Sequence, residues 1–249
     1  KKFPSLQYGK YLFTAGLVII ESEEISNDFK QKLFSIKTLN GKEIVLITAF
    51  EMVKDLERLL CNELQNSEET LLVFPGEGSR QLKRLLSVHS EQDTRYIGYS
   101  APYKNHKQVE VFAKRYWLPG KDPYVEVGEI VLEPSLLSVI KKVVVLDDVI
   151  SSGQTLKKLY EKNSVKFPGA AWIGGSLVSQ LPRMKALSGV AGYEKIITAV
   201  LVEGPSGRVP INSLRTLAND TSISQSYAER HFQNPKEFLD LLLGVAKKK

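Results

Sequence analysis

Asp147 and Asp148 stand side by side at the end of the apolar run Val143-Val144-Val145-Leu146, and Ser151-Ser152-Gly153-Gln154-Thr155 follows two residues later. Four apolar residues in a row fit a central strand buried on both faces of a parallel sheet. Ligands of such sheets bind beyond the carboxyl ends of the strands, which is where this acidic pair falls. A loop of small hydroxyl residues and glycine opening a helix offers backbone N–H groups and hydroxyls to a phosphate. Gly153 lets the backbone approach the anion with no side chain in the way. Two carboxylates beside a phosphate would repel it unless they held sugar hydroxyls or a divalent cation. A sugar phosphate with Mg²⁺ satisfies every part. The plainer alternative is that the aspartates merely end a strand and residues 151–155 merely cap a helix.

The surrounding pattern must position these residues. A short apolar strand over 71–74 leads into the loop Pro75-Gly76-Glu77-Gly78-Ser79-Arg80 and a helix from about 79 to 88 with Leu82, Leu85 and Leu86 on one face. A strand is expected over 95–100. β-like runs at 109–117 and 124–132 flank the turn-rich Leu118-Pro119-Gly120-Lys121-Asp122-Pro123. Pro134 suits the first turn of a helix to about Ile140; a helix over 154–162 and strands at 171–178 and 196–202 complete the series. Alternating strands and helices predict an α/β fold with a central parallel sheet flanked by helices. The first fifty residues read as β-rich: an apolar run over 11–20, then 34–39 and 43–48 flanking Asn40-Gly41, the dipeptide suited to a tight hairpin. Met52, Val53, Leu56, Leu59, Leu60 and Leu64 recur at helical spacing, predicting an amphipathic helix over 50–65 that carries Cys61 as a small core residue.

The segment 143–155 resembles the phosphoribosyl-diphosphate (PRPP) binding motif of type I phosphoribosyltransferases: hydrophobic strand, acidic pair, two variable residues, then hydroxyl–small–Gly–any–Thr, with every position filled. The order of elements over about 50–203 is similar too. The resemblance implies a β-rich hood built from residues 1–49 and a C-terminal hood or packing segment, 204–249, around the 50–203 core. It implies Mg²⁺-dependent transfer of a phosphoribosyl group from PRPP to a small-molecule acceptor, a nucleobase being the family's usual one, with release of pyrophosphate. On that reading Asp147 and Asp148 hold the ribose hydroxyls directly or through Mg²⁺, as catalytic and metal-binding residues. Ser151, Ser152, Gly153, Gln154 and Thr155 hold the 5′-phosphate. The diphosphate would meet Gly76, Gly78 and Ser79, with Arg80 pairing a diphosphate oxygen as the third catalytic residue. The segment 113–124, with Lys114, Arg115 and Lys121, lies where the family closes a loop over the reacting centre to exclude water.

One departure concerns the acceptor. Members that use 6-oxopurines carry an aspartate three positions after the second acid, where this chain has Ser151, a poor base at neutral pH. This counts against a hypoxanthine–guanine activity. The alternative function is a PRPP-binding regulator that keeps the phosphate cradle and performs no transfer.

Composition sets the outer limits. The chain has 249 residues with 43% hydrophobic and 25% charged, ordinary for a globular protein with a real core. Its net charge is +6, but Lys1, Lys2, Lys247, Lys248 and Lys249 supply five of those charges, so the body is nearly neutral and nucleic acid is not an expected partner. No apolar stretch approaches the about 20 residues of a membrane span. The lone Cys61 excludes an internal disulfide framework, and His89, His106 and His231 lack metal-ligand spacing. A cytoplasmic setting is the expectation, with a homodimer as the candidate assembly. The opening Lys1 in place of Met leaves a larger parent chain open.

Overall fold

A computed structural model describes residues 3–21, 25–92, 105–116, 124–186, 190, 192–203 and 211–246. In chain order its elements are β1 (Ser5–Phe13), β2 (Leu17–Glu21), α1 (Asn27–Ser35), β3 (Ile44–Thr48), α2 (Ala49–Leu60), β4 (Thr70–Pro75) and α3 (Gly76–Gln92). Next come β5 (Lys107–Val111), β6 (Ala113–Tyr116), β7 (Tyr124–Val127), α4 (Pro134–Leu137), β8 (Lys142–Ile150), α5 (Gln154–Asn163) and β9 (Ala171–Gln180). The last are α6 (Leu181–Ala186), β10 (Lys195–Val202), β11 (Ile211–Ser213), α7 (Leu214–Asn219), α8 (Thr221–His231) and α9 (Pro235–Ala246).

The chain divides into two compact units, Lys1–Leu12 with Val53–Gly207, and Phe13–Met52 with Arg208–Lys249. The stretch expected as one N-terminal segment, 1–49, is shared between the two units. The apolar run 11–20 is broken by a bend at Thr14-Ala15-Gly16, and the two halves join different sheets.

In the first unit six strands lie in the order β1-β10-β9-β8-β4-β5, and the pairs from β10 through β5 are all parallel. Val143, Val144, Val145 and Leu146 of β8 have no exposed surface, as a central strand covered on both faces requires. Leu156 and Leu159 of α5 pack into the same core as Leu71 and Val73 of β4 and Trp172 of β9. The expected strand at 109–117 is in fact two. β5 stays in the sheet beside β4, while β6 leaves it and pairs antiparallel with β7. The Phe112 carbonyl between them accepts the Gly128 N–H at 2.7 Å, which fixes the start of that ribbon. The helix expected over 50–65 ends at Leu60, and Cys61 lies half-buried in the turn beyond it. The strand expected at 95–100 lies outside the described residues.

The second unit holds a three-stranded sheet, β11-β2-β3, with both pairs parallel. The hairpin expected at Asn40-Gly41 does not form. Both residues do take positive φ (61° and 64°), but within a 3₁₀ turn. Of the run before them only Phe34 and Ser35 belong to α1, where Ser26 caps the helix by accepting the Phe29 N–H and where Phe29 and Leu33, four apart, share a buried face. Phe232 and Phe238 stack with centroids 4.2 Å apart in this unit's core, with Tyr227 5.8 Å from Phe238.

The amino edge of the larger sheet is held by charge. Lys142 opens β8 and Lys195 opens β10; both bind Glu63, which lies in the turns after α2, with Lys142 Nζ at 3.0 Å. Lys107, opening β5, donates to the Glu68 carbonyl at 3.0 Å. Burial pushes the Glu63 carboxyl up, but the ammonium groups of Lys195 and Lys142 outweigh it and hold the group below the ordinary carboxylate range. A carboxyl lowered on folding adds stability above its unfolded value of about 4.3, and that addition is lost as the pH falls through the lower folded value. Glu63→Gln is therefore expected to cost about 1–2 kcal/mol near neutrality. In thermal melts run from pH 7 to pH 3, its difference from the parent protein should shrink towards zero at the acid end.

Candidate active site

After β4 the chain adds β5 on one side, whereas β8 pairs with β4 on the other. The strand order thus reverses between β4 and β8, the place where open α/β sheets leave a crevice beyond their carboxyl ends. Two helix N-termini open there, α3 directly after Pro75 and α5 three residues after Ile150. The aspartates are part of β8, which runs on to Ile150. Asp147 is buried, opposite Ser176 of β9, and its Oδ1 accepts the Asp148 N–H at 3.0 Å. Asp148 is half-buried and its Oδ1 accepts the Val149 N–H at 2.9 Å.

The loop after β8 opens α5 without a side-chain cap. The N-cap of α5 is Gly153, in the left-handed conformation (φ 74°, ψ 4°), and it has no side chain with which to cap. Just before it, Ser151 Oγ donates to Gln180 Oε1 at 3.0 Å. Gln154 and Thr155 form the first turn, so the N–H groups of 153–155 stay available to an anion at the positive end of the helix dipole. Behind the helix, the Tyr193 hydroxyl donates to the Leu156 carbonyl at 3.1 Å. Burial, then the charge of Asp147, pushes that phenol well above its ordinary value, so it remains a donor.

The segment 75–80 is not a loop. α3 starts at Gly76, where φ is 72°, and the buried Ser79 closes the first turn by donating to the Gly76 carbonyl at 2.9 Å. Ser79 can therefore offer backbone rather than hydroxyl to a ligand. Gly78 has a steric reason: a methyl there would lie 2.4 Å from Asp148 Oδ1. Absence of a side chain is what lets α3 begin against the acidic strand end. Arg80 points to β5, with Nε 2.9 Å from Glu110 Oε2, and Lys83 Nζ lies 3.0 Å from the other oxygen. Lys83 above all, helped by Arg80, holds the Glu110 carboxyl below its ordinary range against desolvation, which acts the other way.

The cationic segment is partly described. Lys114 and Arg115 lie on β6, opposite Glu126 and Val125 of β7, and Lys114 Nζ sits 5.2 Å from the Tyr116 ring centroid. Lys121 lies outside the described residues. Among the described residues no three or more His, Cys, Asp or Glu side chains come together as a metal site. None of the described helices is long and apolar enough to cross a membrane. Glu110, Gln180 and Tyr193 are the contributors that sequence reasoning missed. Only Gln180, a polar residue ending an apolar strand, left any local sign.

These features make up a parallel α/β sheet with an uncapped helix start and an acidic pair at its switch point. No protein-family model matches the chain, and no curated protein sequence matches it. Among solved structures it is similar to a purine phosphoribosyltransferase from Pyrococcus horikoshii, at 16% identity over 65% of this chain and 92% of that one, with a TM-score of 0.38. The xanthine-guanine-hypoxanthine phosphoribosyltransferase of Helicobacter pylori matches at 15% identity over 66% and 86%, with a TM-score of 0.41. The Giardia lamblia adenine phosphoribosyltransferase complexed with 9-deazaadenine matches at 12% over 72% and 99%, also at 0.41.

The left-handed backbone at Gly153 can be checked directly. Gly153→Ala would force a side chain into positive φ and bring its methyl 3.0 Å from Val190 Cγ2. The expected loss is about 1–2 kcal/mol, read as a lower denaturant midpoint at unchanged slope.

Proposed function

We propose that this protein is a phosphoribosyltransferase that moves the phosphoribosyl group of PRPP to a nucleobase and releases pyrophosphate. The observation that carries the reading is the pairing of Asp147-Asp148 with an uncapped α5 N-terminus at Gly153, in the crevice between β4 and β8. The N–H groups of residues 151–155 take the 5′-phosphate, and the aspartates take the ribose hydroxyls a few ångströms along the same strand end. The diphosphate then faces the start of α3, where Gly76 and Gly78 leave the backbone open. In the transfer, the bond from the anomeric carbon to the diphosphate oxygen breaks and its electron pair leaves with pyrophosphate. A ring nitrogen of the base forms the new bond and gives up its proton to solvent, since Ser151 is no base.

Two adjacent carboxylates fit a hard cation that takes one or two protein carboxylates and fills its shell with substrate oxygens and water. Mg²⁺ held by Asp147 and Asp148 would supply neutralisation of the diphosphate charge. Arg80 supplies a further positive charge once it exchanges Glu110 for a diphosphate oxygen, and Lys114, Arg115 and Lys121 belong to the segment that would exclude water.

A PRPP-binding regulator without transferase activity is the second reading. The observation favouring it is the engagement of Arg80 with Glu110, which leaves the leaving-group position without that cation.

Calorimetric titration with PRPP, with and without Mg²⁺, is expected to show saturable binding that needs the metal. Asp148→Asn should weaken it at least about tenfold while the melting curve stays close to that of the parent. A folded sample that binds no PRPP in either condition would overturn both readings.

Arg80→Ala separates the two. If the protein transfers, turnover measured by pyrophosphate release should drop about tenfold or more with donor affinity changed little. No turnover by the parent protein with any nucleobase, alongside tight PRPP binding, would establish the regulator.

A further inference from the structure

Strand β9 is not a regular strand. Ser176 and Ser179 are both fully buried and their hydroxyls lie 2.8 Å apart, although side chains three residues apart on a regular strand point to opposite faces. The ladders are interrupted at the same level on both sides, with the register unchanged: pairing with β8 passes from Asp147↔Ser176 to Val149↔Val178, and pairing with β10 from Thr198↔Ser176 to Val200↔Val178, so Leu177 is paired on neither side. The kink is locked by hydroxyls: Ser176 donates to Thr198 Oγ1 at 3.1 Å, and Thr198 donates to the Val200 carbonyl at 2.9 Å. Buried hydroxyls satisfied in this way are costly to rearrange, so the bend is a fixed part of the sheet.

The kink sets the direction of the strand's last residue. Gln180, half-buried and in register with Val202, extends its carboxamide to the neighbouring strand's loop, where its Oε1 accepts a hydrogen bond from the Ser151 hydroxyl. We infer that Gln180 is a positioning residue for the phosphate loop. It holds the loop's first residue in place, and it occupies the one proton that Ser151 could give a phosphate. The loop then meets its anion through backbone N–H groups, with Ser151 turned sideways as an anchor. This rests on the phosphoribosyl reading only for the identity of the anion; the anchor itself is a contact within the protein.

The test is a double-mutant cycle on the parent protein, Gln180→Met, Ser151→Ala and the pair together. Gln180→Met keeps the length and removes the acceptor; Ser151→Ala breaks the same bond from the other side. PRPP affinity in the presence of Mg²⁺ should fall about three- to tenfold in each single variant, and the double variant should be no weaker than the worse single one. Denaturant unfolding of the same four proteins reads the bond with no ligand present and should show the same non-additivity. Additive losses in both measurements, or an unchanged Gln180→Met protein, would overturn the inference. A parent protein that binds no PRPP, with coupling still present in unfolding, would sink the phosphoribosyl reading and leave the anchor standing.

Discussion

From β10 through β5 each neighbouring pair of strands runs parallel, so these strands finish at one edge and each connection between them must cross a face of the sheet to begin the next. The crossings bury both faces, which is why β8 is apolar until Leu146 and can become polar only where the sheet ends. The two edges then acquire opposite tasks. Lysines that open β5, β8 and β10 are satisfied by acceptors in the turns after α2, and that edge is closed. At the carboxyl edge the strand ends meet helix starts, whose first N–H groups have no partner within their own helix. One edge is finished by the protein itself, and the other is left for something else to finish.

Charge is sorted within that open edge. The acidic residues of β8 lie beside the α3 start, while the cations of α3 turn the other way, to Glu110 on β5. The ion pairs made by Glu110 are solvent-exposed, and such pairs contribute little. Arg80 is therefore held at β5 only by a weak, exposed pair that costs little to break. The carboxylates are placed differently. Asp147 is buried in the sheet, and the position of Asp148 is protected by the missing side chain of Gly78.

How much of this could be read from residues alone follows the distance over which each feature is decided. The strand, acidic pair and glycine-opened helix over 143–155 are contiguous, and the structure builds them in that order. The helical content of α2 and the switch from strand to helix at α5 came from periodicity in the same way. Asn40-Gly41 shows the limit of a local signal: its backbone conformation was read correctly, but the fate of residues 34–39 depended on Phe29 and Leu33 seeking a core with α9. The segment 75–80 was misread because its glycines suggested a loop, whereas Gly78 is there to clear Asp148, seventy residues away. Arg80 with Glu110 and Ser151 with Gln180 are likewise pairings across the sheet, made by register, and no short window contains both partners.

The smaller unit is sewn from two remote stretches. β11, which follows residue 210, completes a sheet whose other strands lie before residue 49, and α7, α8 and α9 cover it only at the far end of the chain. During synthesis, residues 13–52 must therefore wait, with the apolar faces of β2 and β3 uncovered, while the whole larger unit emerges and folds. The ribosome releases the first half of this unit long before its second half exists. Chaperone dependence, and the order in which the two units acquire protease resistance during translation, are set by that interval.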